Sequence, residues 1–238
     1  MTYIFLAAGK GTRLQPLTVN YPKTLYRLNE NDTVIQRMIK LITKHDHDAE
    51  IVVVTGFMHH MIEKTITNAT FIVNPFYAVT NSIASLWFAR EYLERDHVTI
   101  INGDVVMSDA LVKDVLCQKT EGALVLFDSS IKNSGDYNVS TTGDKVVVMS
   151  KELENYDGEY AGVVKLDREA AGKFLTVMND MVDNGQYDQW YEDALVQMIF
   201  TDDFVLKYID ICDYDWTEVD TVRDLVLAKK ISQDRVFI

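Results

Sequence analysis

Short apolar runs alternate with segments of helical periodicity through the first half of the chain. TYIFLA, EIVVVTG and HVTIING are almost entirely apolar, which is typical of strands that are buried on both faces of a sheet. Between the first two of these runs, DTVIQRMIKLITK places its apolar residues at helical spacing. This alternation predicts an α/β fold with a doubly wound, mostly parallel sheet.

The pattern changes after residue 128. YNVSTTGDKVVVMS predicts a hairpin, EYAGVVKL another strand, and FVLKYIDI a further strand that lies beyond two helical segments. A last helix is expected from about Thr221. We therefore expect one domain over residues 1–238, in which about 1–128 form a parallel half and about 129–238 a mixed or antiparallel half that closes over it.

Composition and cysteine content favour a cytoplasmic location. No apolar run approaches the about 20 residues of a membrane helix, and no basic segment precedes an apolar stretch at the N-terminus, so we expect neither a membrane span nor a secretory signal. Cys117 and Cys212 are the only two cysteines. Two thiols cannot form a disulfide framework, which fits a reducing compartment.

Charge is distributed unevenly along the chain. The formal net charge of −13 argues against a nucleic-acid partner, because such proteins usually present a basic face. The first 29 residues nevertheless hold Lys10, Arg13, Lys23 and Arg27 and no acidic residue. This segment is therefore predicted to bind an anion.

Two glycines follow the first predicted strand directly. In α/β sheets, ligands bind at the carboxyl ends of the strands, and glycine lets backbone N–H groups approach phosphate oxygens closely. Gly9 and Gly11 fit neither the Walker P-loop nor the dinucleotide fingerprint, since Leu14 stands three positions after Gly11. The glycines alone are compatible with a phosphate-binding loop or with a plain turn between a strand and a helix.

The longer stretch around these glycines is more specific. It reads Gly9-x-Gly11-Thr12-Arg13-Leu14-x-Pro16-Leu17-Thr18 and continues with Pro22-Lys23-x-Leu25. It resembles the signature of the nucleotidyltransferases that make sugar nucleotides and related activated head groups, a family with a Rossmann-like fold. The resemblance implies that the loop wraps the nucleotide triphosphate, that Arg13 meets the β and γ phosphates, and that Lys23 lies near the α phosphate and the phosphate of the second substrate.

The same resemblance implies a metal site. Asp104 follows the strand HVTIING, and Asp220 precedes the last predicted helix in WTEVDTVRDL. Both correspond to metal ligands of the family, and Mg²⁺ prefers carboxylates together with phosphate oxygens. Glu218 is the alternative to Asp220 as the second ligand. The implied catalytic residues are thus Arg13, Lys23, Asp104 and Asp220.

Residues 74–89, NPFYAVTNSIASLWFA, indicate the branch of the family. They resemble the Thr-Asn-x-Ile-x-Ser-Leu segment of bacterial phosphocholine cytidylyltransferases, and the similarity runs from residue 3 to about 228. It implies Mg²⁺-dependent transfer from CTP to phosphocholine, giving CDP-choline and pyrophosphate. It also implies that Asn81 and Ser85 lie near the nucleotide; the alternative is that Asn81 only caps a helix and Ser85 only lies on its surface. The expected nucleotide-binding residues are Leu6, Ala7, Ala8, Gly9, Gly11, Thr12, Arg13, Thr55, Gly56, Asn81, Ser85 and Gly103.

A quaternary ammonium group is best held by aromatic faces with carboxylates nearby. The second half of the chain is rich in both, although aromatic residues also fill protein cores. The candidates for binding the head group are Tyr160, Tyr187, Trp190, Tyr191 and Trp216, with Asp213 or Asp215 supplying negative charge.

Other substrates and a second class of function remain open at this point. Phosphoethanolamine or an aminoethylphosphonate would use the same chemistry. A sugar 1-phosphate is less favoured, because the Glu-Lys-Pro element of the sugar branch is missing from MSKELENYDGEYAGVVKL. A non-catalytic nucleotide-binding regulatory domain is the alternative outside enzymes.

Overall fold

A mixed sheet of nine strands forms the centre of the computed structural model, which describes residues 1–131, 137–201 and 204–233. The eleven strands of these ranges are β1 (Thr2–Ala7), β2 (Glu50–Thr55), β3 (Thr70–Val73), β4 (His97–Asn102), β5 (Val105–Met107), β6 (Ala123–Asp128), β7 (Asn138–Thr142), β8 (Lys145–Ser150), β9 (Gly158–Asp167), β10 (Leu206–Asp210) and β11 (Trp216–Glu218). The sheet has the order β3-β2-β1-β4-β9-β6-β10-β8-β7, and β5 pairs with β11 apart from it.

The parallel half of the sheet is confirmed. Strand β1 pairs in parallel with β2 and β4, and β2 pairs in parallel with β3. Strand β9 then lies antiparallel between β4 and β6, and β7 and β8 form the predicted antiparallel hairpin. A strand from the second half of the sequence thus lies within the sheet of the first half. Residues of both halves therefore meet at the carboxyl end of β4.

Helices cover both faces of this sheet, which explains the almost fully apolar strands. Ile4 packs in a cluster with side chains of the helices on one face, whereas its neighbours Tyr3 and Phe5 pack in a cluster on the other face. The helices are α1 (Val34–His45), α2 (His59–Thr65), α3 (Ser82–Phe88), α4 (Asp109–Leu111, continued by a π-helical turn Val112–Leu116), α5 (Arg168–Asp183), α6 (Tyr191–Thr201) and α7 (Val222–Ile231).

Helix α3 is shorter than the sequence predicts. The sequence pattern predicts a helix over Thr80–Leu93, but α3 ends at Phe88 and a separate 3₁₀ turn spans Arg90–Glu94. Asn81 caps the helix, because its side chain accepts a hydrogen bond from the Ser82 N–H. The cap fixes the start of α3 at the rim of the cleft described below.

Strands β5 and β11 were not predicted, since each is only three residues long. They pair antiparallel, with Glu218 opposite Val105 and Trp216 opposite Met107. This pairing carries the segment before α7 to the carboxyl end of β4. In the part of the chain that the structure describes, no helix combines the length and apolar content that crossing a membrane requires.

Gly162 allows β9 to pass beside this small pair of strands. Its φ is +68°, and a Cβ at this position would lie 2.8 Å from Val105 Cγ2 and would also collide with Glu218 Oε1. Only glycine combines this backbone conformation with so close an approach.

Gly162→Ala is therefore expected to lower the free energy of unfolding by about 1–3 kcal/mol, because the backbone is strained and Val105 or Glu218 must move. Gly172→Ala is the matched control. Gly172 lies inside α5, where a Cβ would have no neighbouring atom within 4 Å, so alanine there should raise the free energy of unfolding by about 0.5–1 kcal/mol. Urea denaturation measures both variants, and wild-type stability in Gly162→Ala would contradict the prediction.

Candidate active site

A cleft opens where β1 and β4 end, as expected for the carboxyl edge of a parallel sheet. Residues from many separate segments of the chain form its walls. Of the residues predicted to form a site, those that line the cleft are Leu6, Ala7, Ala8, Gly9, Gly11, Thr12, Arg13, Lys23, Asn81, Ser85, Asp104, Tyr160, Trp190 and Asp220.

A cluster of opposite charges occupies the floor of the cleft. The Lys23 ammonium contacts a carboxylate oxygen of Asp104 and donates a hydrogen bond to Asp220 Oδ1 over 2.9 Å. The Arg13 guanidinium lies 3.0 Å from Asp220 Oδ2. Burial disfavours the charged lysine, but Asp104 and Asp220 outweigh that effect and raise the pKa of Lys23. Lys23 is therefore a fixed cation between two carboxylates that come from distant parts of the chain.

Local structure holds each member of this cluster in place. Lys23 begins a 3₁₀ turn after Pro22, and Asp104 occupies the tight connection between β4 and β5. Asp220 directly precedes Thr221, the capping residue of α7. The backbone N–H of Val219 donates to the carbonyl of Asp104 over 3.1 Å, so the pairing of β5 with β11 aligns the two aspartates.

Glu218 adds a third carboxylate at the same point. Its Oε1 accepts a hydrogen bond from Asn102 Nδ2 over 3.0 Å. Burial, reinforced by the charge of Asp104, raises the pKa of Glu218 well above its usual range. Burial also raises the pKa of Asp220 to about 6, although Lys23 lowers it. The floor is thus rich in acidic groups that a cation would stabilise.

The glycine loop forms one wall of the cleft. Gly11 has φ +60°, and the Thr18 hydroxyl donates to its carbonyl over 2.6 Å. No atom lies within 4 Å of a Cβ placed on Gly9, which leaves that backbone open toward the cleft. The loop can therefore present N–H groups to an anion without a side chain in between.

The start of α3 forms the opposite wall. Ser85 Oγ accepts a hydrogen bond from Asn74 Nδ2 over 3.0 Å. The Asn81 N–H donates to the Tyr187 carbonyl over 3.0 Å, and the Tyr191 N–H donates to Ser82 Oγ over 2.9 Å. The last two bonds attach the wall formed by α3 to the segment that begins α6.

Three of the predicted nucleotide-binding residues lie behind the cleft. Thr55 is fully buried and its hydroxyl donates to the Ile72 carbonyl over 3.4 Å. A Cβ on Gly56 would lie 2.6 Å from Tyr77 Cβ, and a Cβ on Gly103 would lie 2.6 Å from the Leu6 carbonyl oxygen. Both positions require glycine, because the strand ends pack too tightly there to leave room for a side chain.

The structure does not bring the predicted head-group residues together. Trp216 is buried in the core, and its Nε1 donates to Asp128 Oδ2 over 2.7 Å. Asp213 and Asp215 are exposed in the connection between β10 and β11, outside the residues that line the cleft. Glu218 and Asp220 line the cleft although they are only a few positions further along the chain, so proximity in sequence does not reveal which of these acids faces it.

The two remaining tyrosines lie beside the cleft without lining it. Tyr187 is half-exposed on the outside, and Tyr191 is fully buried. The Tyr191 hydroxyl forms a hydrogen bond with the Tyr160 hydroxyl, whose residue does line the cleft. Tyr191 therefore positions Tyr160.

Sequence reasoning missed several residues that line the cleft. Tyr77, Tyr137, Lys151 and Glu192 line it. The ring of Tyr137 stands edge-on to Tyr160 at 6.3 Å, and Lys151 Nζ lies 3.9 Å from the centre of the Trp190 ring. Tyr137 directly precedes β7 and Lys151 directly follows β8. No sequence periodicity marks either residue, because only the folded sheet brings these strand ends to the cleft.

Glu192 is the least expected of them. It lies in the first turn of α6, where acidic residues commonly favour the helix dipole from an exposed position. Here the residue is only 3% exposed, and its Oε2 has no hydrogen-bond partner among the described residues. Burial, with a smaller contribution from Asp193, raises the pKa of Glu192 to about 8, and Lys151 lowers it only in part.

Comparison with known proteins adds independent information. A family model described as nucleotidyl transferase matches residues 2–150. CTP:phosphoglutamine cytidylyltransferase of Campylobacter jejuni is 24% identical over 250 residues, covering 94% of this chain and 98% of that protein. Choline-phosphate cytidylyltransferase of Streptococcus pneumoniae is 26% identical over 203 residues, covering 83% of each.

The fold is also that of known nucleotidyltransferases. The solved structure of CTP:phosphocholine cytidylyltransferase from Streptococcus pneumoniae superposes with a TM-score of 0.76 at 20% identity, covering 97% of this chain and 98% of that one. The predicted α/β nucleotidyltransferase fold is thus confirmed.

Glu192 should make stability depend on pH. Because its pKa is raised in the folded state to about 8, the folded protein retains a proton that the unfolded chain has lost between roughly pH 5 and pH 8. This contribution to the free energy of unfolding is therefore lost as the pH rises. The titratable side chains that interact with Glu192 are Tyr137, Tyr160, Tyr191, Asp193 and Lys151.

Glu192→Gln removes this titration. The stability of the variant relative to wild type should rise by roughly 2 kcal/mol between about pH 5.5 and about pH 7.5. Urea denaturation of both proteins at the two pH values measures the difference, which cancels the titration of all other groups. An equal pH dependence in both proteins would contradict the prediction.

Proposed function

The chain belongs to the nucleotidyl transferase family, and on that premise we propose that it transfers a cytidylyl group from CTP to phosphocholine, releasing pyrophosphate. The observation that carries this proposal is the convergence of Lys23, Asp104 and Asp220 in one cleft, since Lys23 is 81 and 197 positions away from the two aspartates. A regulatory domain without catalysis would have no need to keep a lysine and two carboxylates in contact.

The nucleotide occupies the end of the cleft formed by the glycine loop and α3. Backbone N–H groups of residues 9–12 bind the triphosphate, and the Arg13 guanidinium holds the β and γ phosphates with its planar fork. Arg13 is about half-exposed, so it can turn from Asp220 toward a bound phosphate. Asn81 and Ser85 border the same space.

Asp104 and Asp220 hold Mg²⁺ in this proposal. Both carboxylates contact the single ammonium of Lys23, so they are close enough to share one cation. Two carboxylates with phosphate oxygens and water suit Mg²⁺. The bound ion supplies charge stabilisation on the phosphates.

The chemistry is an in-line displacement. A phosphate oxygen of phosphocholine attacks the α-phosphorus of CTP, a new P–O bond forms, and the bond to the bridging oxygen of pyrophosphate breaks. Lys23 draws the two anionic phosphates together, and Arg13 stabilises the leaving pyrophosphate. No covalent intermediate is required, because positioning and charge stabilisation account for catalysis of this kind.

The head group occupies the aromatic end of the cleft. Tyr160, Trp190 and Tyr137 line that end together, and aromatic faces attract a quaternary ammonium that cannot donate an N–H hydrogen bond. Lys151 already stands on the Trp190 ring, so this face accommodates a cation. These contacts support phosphocholine over a sugar 1-phosphate.

Pyrophosphate release tests the proposal. Four nucleotides are combined with phosphocholine, phosphoethanolamine, 2-aminoethylphosphonate, phosphoglutamine and glucose 1-phosphate in the presence of Mg²⁺. CTP with phosphocholine is expected to give the highest kcat/KM, EDTA should stop the reaction, and Asp104→Asn controls for contaminating activity. Release only with another phosphate, or with none, would refute the proposed reaction.

The two tryptophans should respond differently to truncation. Trp190→Ala removes a ring that lines the cleft, so KM for phosphocholine should rise roughly 2- to 30-fold, while KM for CTP and the free energy of unfolding stay near wild type. Trp216→Ala removes a core ring and should lower the free energy of unfolding by about 3–5 kcal/mol. Steady-state kinetics and urea denaturation separate the two effects, and an unchanged KM in Trp190→Ala would exclude this ring from the head-group site.

A further inference from the structure

One carboxylate oxygen of a buried acid in the cleft has no hydrogen-bond partner in the part of the chain that the structure describes. Glu192 lines the cleft, is 3% exposed, and its Oε2 finds no hydrogen-bond donor in the residues described. Leaving a buried polar atom without a partner costs free energy, so native structures rarely contain one without a reason. The oxygen is buried, but the residue borders the cleft, so a group bound at this end of the cleft would lie next to the carboxyl group.

The protein itself supplies no direct counter-ion to this carboxylate. Within the described ranges, no basic side chain lies within 4.0 Å of Glu192 in an ion pair. The nearest basic group that influences it, Lys151, stands instead on the ring of Trp190. A cation that enters the cleft would therefore be the first oppositely charged group in contact with the carboxylate, and it would offset the cost of burying the charge.

The acids that the sequence suggested for this purpose are unsuitable. Asp213 and Asp215 are exposed and lie outside the cleft lining. Glu192 occurs at the aromatic end, beside Tyr160 and Tyr191. It is thus a carboxylate in the position where the aromatic rings would receive a cationic group.

We propose that Glu192 is the counter-ion of the cationic head group and determines the preference of the site for a charged over a neutral head group. This inference rests on the proposed function in one respect, namely that the phosphate of the same substrate lies at the Lys23 end of the cleft. A trimethylammonium group offers no N–H donor, so Glu192 recognises its charge without a hydrogen bond, and the aromatic rings add cation–π attraction and contact with the methyl surface.

The probe pair is phosphocholine and 3,3-dimethylbutyl phosphate, in which carbon replaces the charged nitrogen and the shape is retained. Both are titrated calorimetrically into the enzyme with Mg²⁺ and α,β-methylene-CTP, which cannot release pyrophosphate. Wild type is expected to bind phosphocholine roughly 10- to 100-fold more tightly than the neutral isostere. Glu192→Gln should reduce this ratio at least about fivefold, mainly through weaker binding of phosphocholine, and the aromatic rings should retain a residual preference.

Two further variants keep the test specific to the charge. Glu192→Asp retains the carboxylate and should keep a clear preference for phosphocholine. Asp188→Asn removes one negative charge from the exposed segment before α6, outside the cleft lining, and should leave the ratio unchanged. Should Glu192→Gln fail to fold, the ratio in wild type is compared at about pH 5.5 and about pH 7.5, where both probes carry the same phosphate group; protonation of Glu192 should lower the ratio at the lower pH, and equal ratios would overturn its role.

Each outcome bears separately on the inference and on the proposed reaction. Equal binding of the two probes by wild type, or an unchanged ratio in folded Glu192→Gln, overturns the role of Glu192 even where pyrophosphate is released with phosphocholine. A large ratio that falls as expected in Glu192→Gln supports the counter-ion even where no CDP-choline forms, and then only the proposed reaction fails. Absence of binding by both probes overturns the inference.

Discussion

The structure of the cleft depends on the contact of two aspartates with one lysine. Asp104 and Asp220 would repel each other across the floor if no cation stood between them, and Lys23 supplies that cation in the free protein. The contact joins the glycine loop, the end of β4 and the start of α7, three segments that are otherwise remote in the sequence. It therefore organises the site before any ligand is present, and it keeps charges in place that a phosphate and a divalent cation would later share.

Two features of the sheet bring these segments within reach of one another. Strand β9 lies antiparallel between β4 and β6, so the second half of the chain enters the middle of the sheet. Gly162 then lets β9 pass close to the β5–β11 pair that carries Asp104 and Asp220. On the other side, Asn81 donates a hydrogen bond to Tyr187 and Ser82 accepts one from Tyr191, which attaches α3 to residues 187–191. The wall at the nucleotide end and the wall at the aromatic end therefore form one continuous surface.

The buried acids of the cleft lower the stability of the free protein in favour of ligand binding. Burial raises the pKa values of Glu192 and Glu218, which means that the folded protein disfavours their charged forms at neutral pH. A fold selected for stability alone would replace such groups by apolar residues. Their presence at the edge of an open cleft fits a site whose charges are completed by its substrates.

The sequence by itself determined most of the fold and the charged floor of the site. Apolar runs that alternate with helical periodicity require a sheet covered on both faces. The motifs that hold Gly9, Gly11, Arg13, Lys23, Asp104 and Asp220 resemble those of a known family, and that resemblance implied that these residues share one site. The aromatic end could not be derived in this way. Trp216 and Trp190 have similar neighbours in sequence, yet Trp216 bonds to buried Asp128 while Trp190 lines the cleft. The packing of β9, α3 and α6 against one another decides which of these tryptophans lies in the core. The same packing places Glu192, rather than Asp213 or Asp215, at the cleft. Contacts of that kind join residues far apart in the chain, so only the tertiary structure decides them.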